Sequence, residues 1–179
     1  YLTIFGSNFG SAVGTVRFVN PSSGYEAVGD TRFPDACTGT GWSLTQITVK
    51  VPEKYINGTN VAVLMHNLRV VRADSAASTA VGFAVEAGSA GPGICAASPV
   101  SGPAGTLIHL YGERFGSSPQ IVTFYNNQNA VTSLWSSEHV SAFIPTAAVT
   151  GPVSVTVGGN KSNGVNVTVG ACNPSVATS

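Results

Sequence analysis

The sequence predicts an all-β chain of two tandem β-sandwich domains. Three observations lead there. Short runs alternate apolar and polar residues, turn signals separate the runs, and the whole pattern occurs twice along 179 residues. Ile47-Thr48-Val49-Lys50-Val51, Val153-Ser154-Val155-Thr156-Val157 and Val165-Asn166-Val167-Thr168-Val169 all have period two. That period places one face of a strand on a core and leaves the other toward water. Asn57-Gly58, Pro103-Ala104-Gly105, Gly158-Gly159-Asn160 and Asn163-Gly164 mark the turns. Twenty-one Gly and ten Pro leave little room for long helices, and no window carries a helical period over a helical length.

Taken in order, the first copy opens with a strand at Leu2-Thr3-Ile4-Phe5. Gly6-Ser7-Asn8-Phe9-Gly10 follows and recurs as Gly112-Glu113-Arg114-Phe115-Gly116. The match runs on through Val16-Arg17-Phe18 against Val122-Thr123-Phe124. The first copy then carries an insertion of about 13 residues within 20–41, because Trp42 matches Trp135 at a shorter offset than the strands before it. Ile47–Pro52 pairs with Val140–Pro145, Gly58 with Gly151, and Val81–Val85 with Val165–Val169. Gly6 and Gly112 are read as turn glycines, Phe9 and Phe115 as plugs at the end of each sandwich, and Trp42 and Trp135 as core fillers. The domain limits are then 1–90 and 91–171. Residues 172–179 begin a further repeat or tail, since Cys172-Asn173-Pro174 resembles Cys95–Pro99. The segment Gly88–Gly93 looks flexible by composition, but Ile94 and Pro99 are expected to pack and shorten its free part. An opening strand with no lead-in is read as a piece of a longer protein.

The second copy carries Ser98-Pro99-Val100-Ser101-Gly102-Pro103-Ala104-Gly105-Thr106, then Ile108 to Gly112, Phe115-Gly116, Val122-Thr123-Phe124, Trp135, Pro145, Gly151-Pro152-Val153 and Ser162-Asn163-Gly164-Val165. This series resembles the IPT/TIG family of immunoglobulin-like domains. The first copy follows the pattern from its second strand onward. It departs in the insertion and in the hairpin Met65 to Ala80. The resemblance implies two immunoglobulin-like sandwiches of the kind common in arrays on cell-surface and secreted proteins.

Composition bounds the partners. Eight basic and eight acidic residues give net charge zero, and only 9% of residues are charged. That balance argues against nucleic acid as a partner and disfavours a DNA-binding relative of the fold. The apolar 43% is dispersed, with no run of about 18 residues to insert directly into a membrane. Chemistry is sparse. His66, His109 and His139 are expected to lie more than about 10 Å apart, beyond the ~3 Å reach of a catalytic pair. No catalytic residue, cofactor site or metal site is assigned. Glu26, Asp30 and Asp35 cluster in the insertion, where a solvated loop is preferred over a calcium site. The sequons at Asn57 and Asn160 fall on turns that would accept a glycan, whereas Asn166 lies in a strand.

Three cysteines remain. Cys95 and Cys172 sit at opposite ends of one sandwich, too far apart to bridge. Cys37 is the partner left for Cys95, and buried free thiols are the competing reading. The expected function is a non-catalytic structural or adhesive segment of an extracellular or cell-surface protein, extending to a repeat of a surface filament or layer. Its partners would be neighbouring domains, further copies, or surface glycans and proteins. The alternative is an accessory module of a secreted carbohydrate-active enzyme, with Tyr25, Phe33, Tyr55 and Tyr125 as exposed aromatics.

Overall fold

The computed structural model describes residues 1–32, 37 and 41–170. It divides into two compact units, Tyr1–Ala90 and Gly91–Ser179. Both are all-β, as the sequence predicts. Among the described residues the only helical element of unit 2 is a 3₁₀ turn at Tyr125–Asn127.

Unit 1 contains β1 (Leu2–Phe5), β2 (Thr15–Val19), β3 (Glu26–Val28), β4 (Gln46–Val49), β5 (Met65–Val71) and β6 (Val81–Ala84). β1 and β4 form one antiparallel sheet, and β3-β2-β5-β6 form the other. Alternation decides which side chains meet between them. His66, Leu68 and Val70 of β5 point inward, while Met65, Asn67 and Arg69 are exposed. Val16 and Phe18 from one sheet and Ile47 and Val49 from the other join Phe9, Trp42 and Tyr55 in a single core.

Unit 2 contains β7 (Gly93–Ser98), β8 (Ser101–Gly102), β9 (Leu107–Glu113), β10 (Ile121–Phe124), β11 (Gln128–Asn129), β12 (Thr132–Trp135), β13 (His139–Phe143), β14 (Gly151–Val157), β15 (Asn160–Lys161) and β16 (Val165–Val169). One sheet is ordered β12-β13-β9-β7. The other runs β11-β10-β14-β16-β8, with β15 against β14. The inner faces enclose Ile94, Ile108, Leu110, Phe115, Val122, Phe124, Val140, Val153, Val155 and Val167. Gly93 and Ile94 therefore belong to a strand and its core rather than to a free linker. Pro99 is exposed, because it begins the turn after β7.

The two units repeat one register. Leu2, Thr3, Ile4 and Phe5 pair with Val49, Thr48, Ile47 and Gln46. Ile108, His109, Leu110 and Tyr111 pair with Ala142, Ser141, Val140 and His139 in the same way. Trp42 bridges Ile47 just as Trp135 bridges Val140. The other sheet corrects part of the sequence reading. Val16 pairs with Val70, and Val122 with Val155. Since Val16 corresponds to Val122, Gly151 stands at the position of His66, not Gly58. Unit 1 has extra residues before β5 that an ungapped match over Gly58 conceals. The first insertion is also divided. Ala27 pairs with Phe18 as Gln128 pairs with Phe124, so β3 is a shared strand with extra residues on both sides of it.

The glycine–phenylalanine motif has a different cause from the one expected. Neither Gly6 nor Gly112 has positive φ; Asn8, Gly10, Arg114 and Gly116 do, at 60°, 83°, 61° and 74°. A Cβ on Gly6 would lie 2.5 Å from the Phe9 ring, and one on Gly112 would lie 2.6 Å from the Phe115 ring. These glycines make room for the aromatic ring that turns back over them. Each Trp then ties down the turn. Trp42 Nε1–H donates to the Gly10 carbonyl at 3.1 Å, and Trp135 Nε1–H to the Phe115 carbonyl at 2.9 Å.

Candidate functional site

The densest group of chemically versatile side chains lies on the outer face of the β9–β13 pair. Alternation turns Ile108 and Leu110 into the core and His109 and Tyr111 outward. Antiparallel pairing sets His109 opposite Ser141 and Tyr111 opposite His139. Residues far apart in sequence so become cross-strand and diagonal neighbours on one face. His109 Nδ1 lies 3.1 Å from His139 Nε2 and 2.9 Å from Ser141 Oγ. Ser141 Oγ is 3.4 Å from His139 Nε2. The Tyr111 ring stacks on His139, with centroids 4.7 Å apart and planes 15° apart.

This corrects the expectation that all three histidines stand far apart. His109 and His139 are in hydrogen-bond contact, and a hydroxyl lies beside both. The missing signal was strand adjacency, which no local pattern around either residue carries. The pKa of His139 is held below its ordinary value, first by burial and then by the charge of His109. A serine beside imidazoles raises the question of acyl transfer, and the sheet answers it. Ser141 sits at 2% exposure in the middle of β13, which is paired with β9 on one side and β12 on the other. Those ladders use the backbone donors around Ser141 that an oxyanion hole would need.

His66 has a separate, architectural role. It is fully buried, and its Nε2 lies 2.8 Å from the Tyr55 hydroxyl. Its Nδ1 is 3.1 Å from the Leu64 carbonyl oxygen. The Tyr55 oxygen also accepts from Asn20 Nδ2–H at 3.1 Å and from the Ala62 amide at 3.0 Å. With two bonds accepted, the Tyr55 O–H donates to His66 Nε2, and His66 Nδ1–H donates to Leu64. Asn20 Oδ1 meanwhile accepts from Ser22 and Ser23. The hub fastens the β2–β3 turn to the start of β5 and satisfies each buried group.

The remaining candidates are dispersed. Tyr55 is a core residue at 5% exposure, so it is not a surface platform. Tyr25 and Tyr125 are exposed, on different units, and Phe33 lies outside the described residues. Glu26 is engaged by Arg17 at 2.9 Å, and Asp30 Oδ1 accepts from the Arg32 amide at 2.8 Å. Asp35 lies outside the described residues. Asn57 is exposed in a turn, whereas Asn160, expected on a turn, is exposed as the first residue of β15, and Asn57 Oδ1 accepts from Thr59 N and Oγ1. Cys37 and Cys95 are both buried and both disulfide-bonded, so the free-thiol reading fails for these two. Cys95 Sγ sits 3.2 Å from the Tyr111 carbonyl; a disulfide sulfur has no proton to donate, so this is a packing contact. Cys172 lies outside the described residues. No helix among the described residues is long and apolar enough to cross a membrane.

Comparison with known proteins gives one family match, the IPT/TIG domain, over residues 92–173. No curated protein matches the chain. Similar solved structures include a gamma-CGTase from Alkalophilic bacillus clarkii, with 24% identity over 57% of this chain and 17% of that one and a TM-score of 0.42. An auxiliary nutrient binding protein from Bacteroides thetaiotaomicron has 22% identity over 45% of this chain and 21% of its own, with a TM-score of 0.41. A surface glycan-binding protein from Prevotella bryantii has 10% identity over 92% of this chain and 35% of its own, with a TM-score of 0.37. The chain therefore spans well under half the length of each of these proteins.

Proposed function

With residues 92–173 an IPT/TIG domain, we propose that the chain is a non-catalytic spacer or adhesive segment of an extracellular or cell-surface protein. Its first unit is then a second, more divergent IPT/TIG domain. The observation that carries this reading is that several of the polar and aromatic candidates are consumed by architecture. Tyr55 and His66 close a buried hub, both Trp indoles tie down turns, and the backbone around Ser141 is taken up by strand pairing on both sides. The disulfide state of Cys37 and Cys95 fits an oxidising compartment.

Each cysteine makes one disulfide, so in a chain of three cysteines the pairing we assign is Cys37–Cys95. The ring would enclose 59 residues (95 − 37 + 1) and stabilise the fold by roughly 4 kcal/mol through the unfolded state. Asn57 and Asn160 are the proposed glycan acceptors. Partners are neighbouring domains, further copies in a filament or layer, and surface glycans or proteins.

Single-molecule pulling on the chain tests the spacer role. Two cooperative unfolding events are expected, with one reactive thiol per chain under denaturing, non-reducing conditions. Turnover of glycoside or ester substrates by the chain would refute a non-catalytic role. Retention on insoluble polysaccharide, lost on Tyr25→Ala or Tyr125→Ala, would replace the spacer reading with an accessory carbohydrate-binding module.

A further inference from the structure

We propose that His109 and His139 form a binding site for a divalent late transition metal ion of the zinc, nickel or copper class, on the outer face of β9 and β13. Metal–imidazole bonds are about 2.0–2.1 Å long, so two nitrogens on one ion at 90–109° stand about 2.8–3.4 Å apart. His109 Nδ1 and His139 Nε2 stand 3.1 Å apart, within that range, so one ion can bridge them once the rings turn to aim both lone pairs at a point beside the line of the hydrogen bond. Both residues are held in place. His109 and His139 are carried on a ladder whose register is unbroken from Leu107 to Tyr111, and Tyr111 stacks flat against His139. Rigid placement of ligands lowers the ordering cost of binding.

The third donor is Ser141 Oγ, at 2.9 Å from one nitrogen and 3.4 Å from the other. It is placed to bind the ion weakly or to accept from its water. Two imidazoles and a hydroxyl suit metals of intermediate softness and not calcium or magnesium, which want several hard oxygens. Two protein nitrogens also leave coordination positions open to water or to a donor from another molecule.

The repeat supplies an internal control. At the equivalent register unit 1 has Thr3, Phe5, Gln46 and Thr48 in place of His109, Tyr111, His139 and Ser141. His66, the third histidine, is buried in its hub. One site per chain is therefore expected. The test is calorimetric titration of the tag-free 179-residue chain with zinc chloride and nickel chloride. One equivalent should bind, magnesium and calcium should not, and His109→Asn or His139→Gln should each weaken affinity by at least about tenfold, the loss that even an outer-shell partner causes. Folding of each variant is checked by circular dichroism. A gain-of-site variant, Thr3→His with Gln46→His, should add a second equivalent. Absence of saturable zinc and nickel binding, binding that survives both single substitutions, or a folded transplant that adds no equivalent would each overturn the proposal.

Discussion

β1 and β9 occupy equivalent registers against β4 and β13, yet their inward residues are not equally buried. Ile108 and Leu110 are fully buried, whereas Leu2 and Ile4 only pack partly buried against the core. The side chains are of similar size and the pattern is the same. The difference is in the flank. β9 has β7 along its other edge, while among the described residues β1 pairs with β4 alone. Strand identity is thus a local property, whereas burial of a strand's inner face depends on what closes the sheet beside it.

The sharpest way to break this comparison is at the motif glycines. A Cβ on Gly112 would lie 1.9 Å from the Gly93 carbonyl oxygen of β7, as well as close to the Phe115 ring; on Gly6 the nearest obstacle is the Phe9 ring alone. A backbone atom of a paired strand cannot step aside as a ring can. Gly112→Ala is expected to destabilise unit 2 by about 3 kcal/mol or more, and Gly6→Ala to destabilise unit 1 by about 1 kcal/mol. Hydrogen exchange of β9 and β1 amides reads the two units separately. Equal losses would mean that β7 does not confine Gly112.

Core truncation gives the next effect. Leu110→Ala should cost about 2–5 kcal/mol, in the range for a fully buried leucine. Ile4→Ala at the equivalent position should cost less, about 1–2 kcal/mol, because its surroundings already admit water. Denaturant midpoints of the single variants decide it, and a larger loss for Ile4 would contradict the role given to the flanking strand.

A smaller and equal effect is expected at the tryptophans. Trp42→Phe and Trp135→Phe each remove one indole N–H bond to a carbonyl, worth about 1 kcal/mol. Here the units are alike, so a marked inequality would show that the two turns are held differently.

The pH prediction separates the two outer faces. Folded His139 has its pKa lowered by burial and by His109, so the unfolded chain binds this proton more readily. The associated stability is fully present above the unfolded value of about 6.5 and is lost as pH falls through that value toward the folded one. With chelator present, unit 2 should weaken on acidification below about pH 6.5. His139→Gln, which installs the unit 1 residue, should flatten that dependence in a series of melts. An unchanged slope in the variant would assign the effect elsewhere.

Much of this molecule is written in local pattern. Period-two alternation in β4, β14 and β16, the turn glycines, and the repeat of Gly6–Gly10 at Gly112–Gly116 determine that the chain is all-β and doubled, because strand geometry and turn chemistry act over a few residues. The repeat likewise places His109 at the position of Thr3, an outward position on its strand. Tertiary structure decided what those faces meet. That His109 and His139 touch depends on which strand lies beside β9 and in which register. That the Tyr55 hydroxyl is closed off depends on Asn20 reaching it from the β2–β3 turn, 35 residues away in sequence. That Gly112 admits no Cβ depends on β7 passing behind it. These are contacts between chain segments distant in sequence. Their energies come from burial and hydrogen bonding that exist only after the sheets have paired, so no window of the sequence contains them.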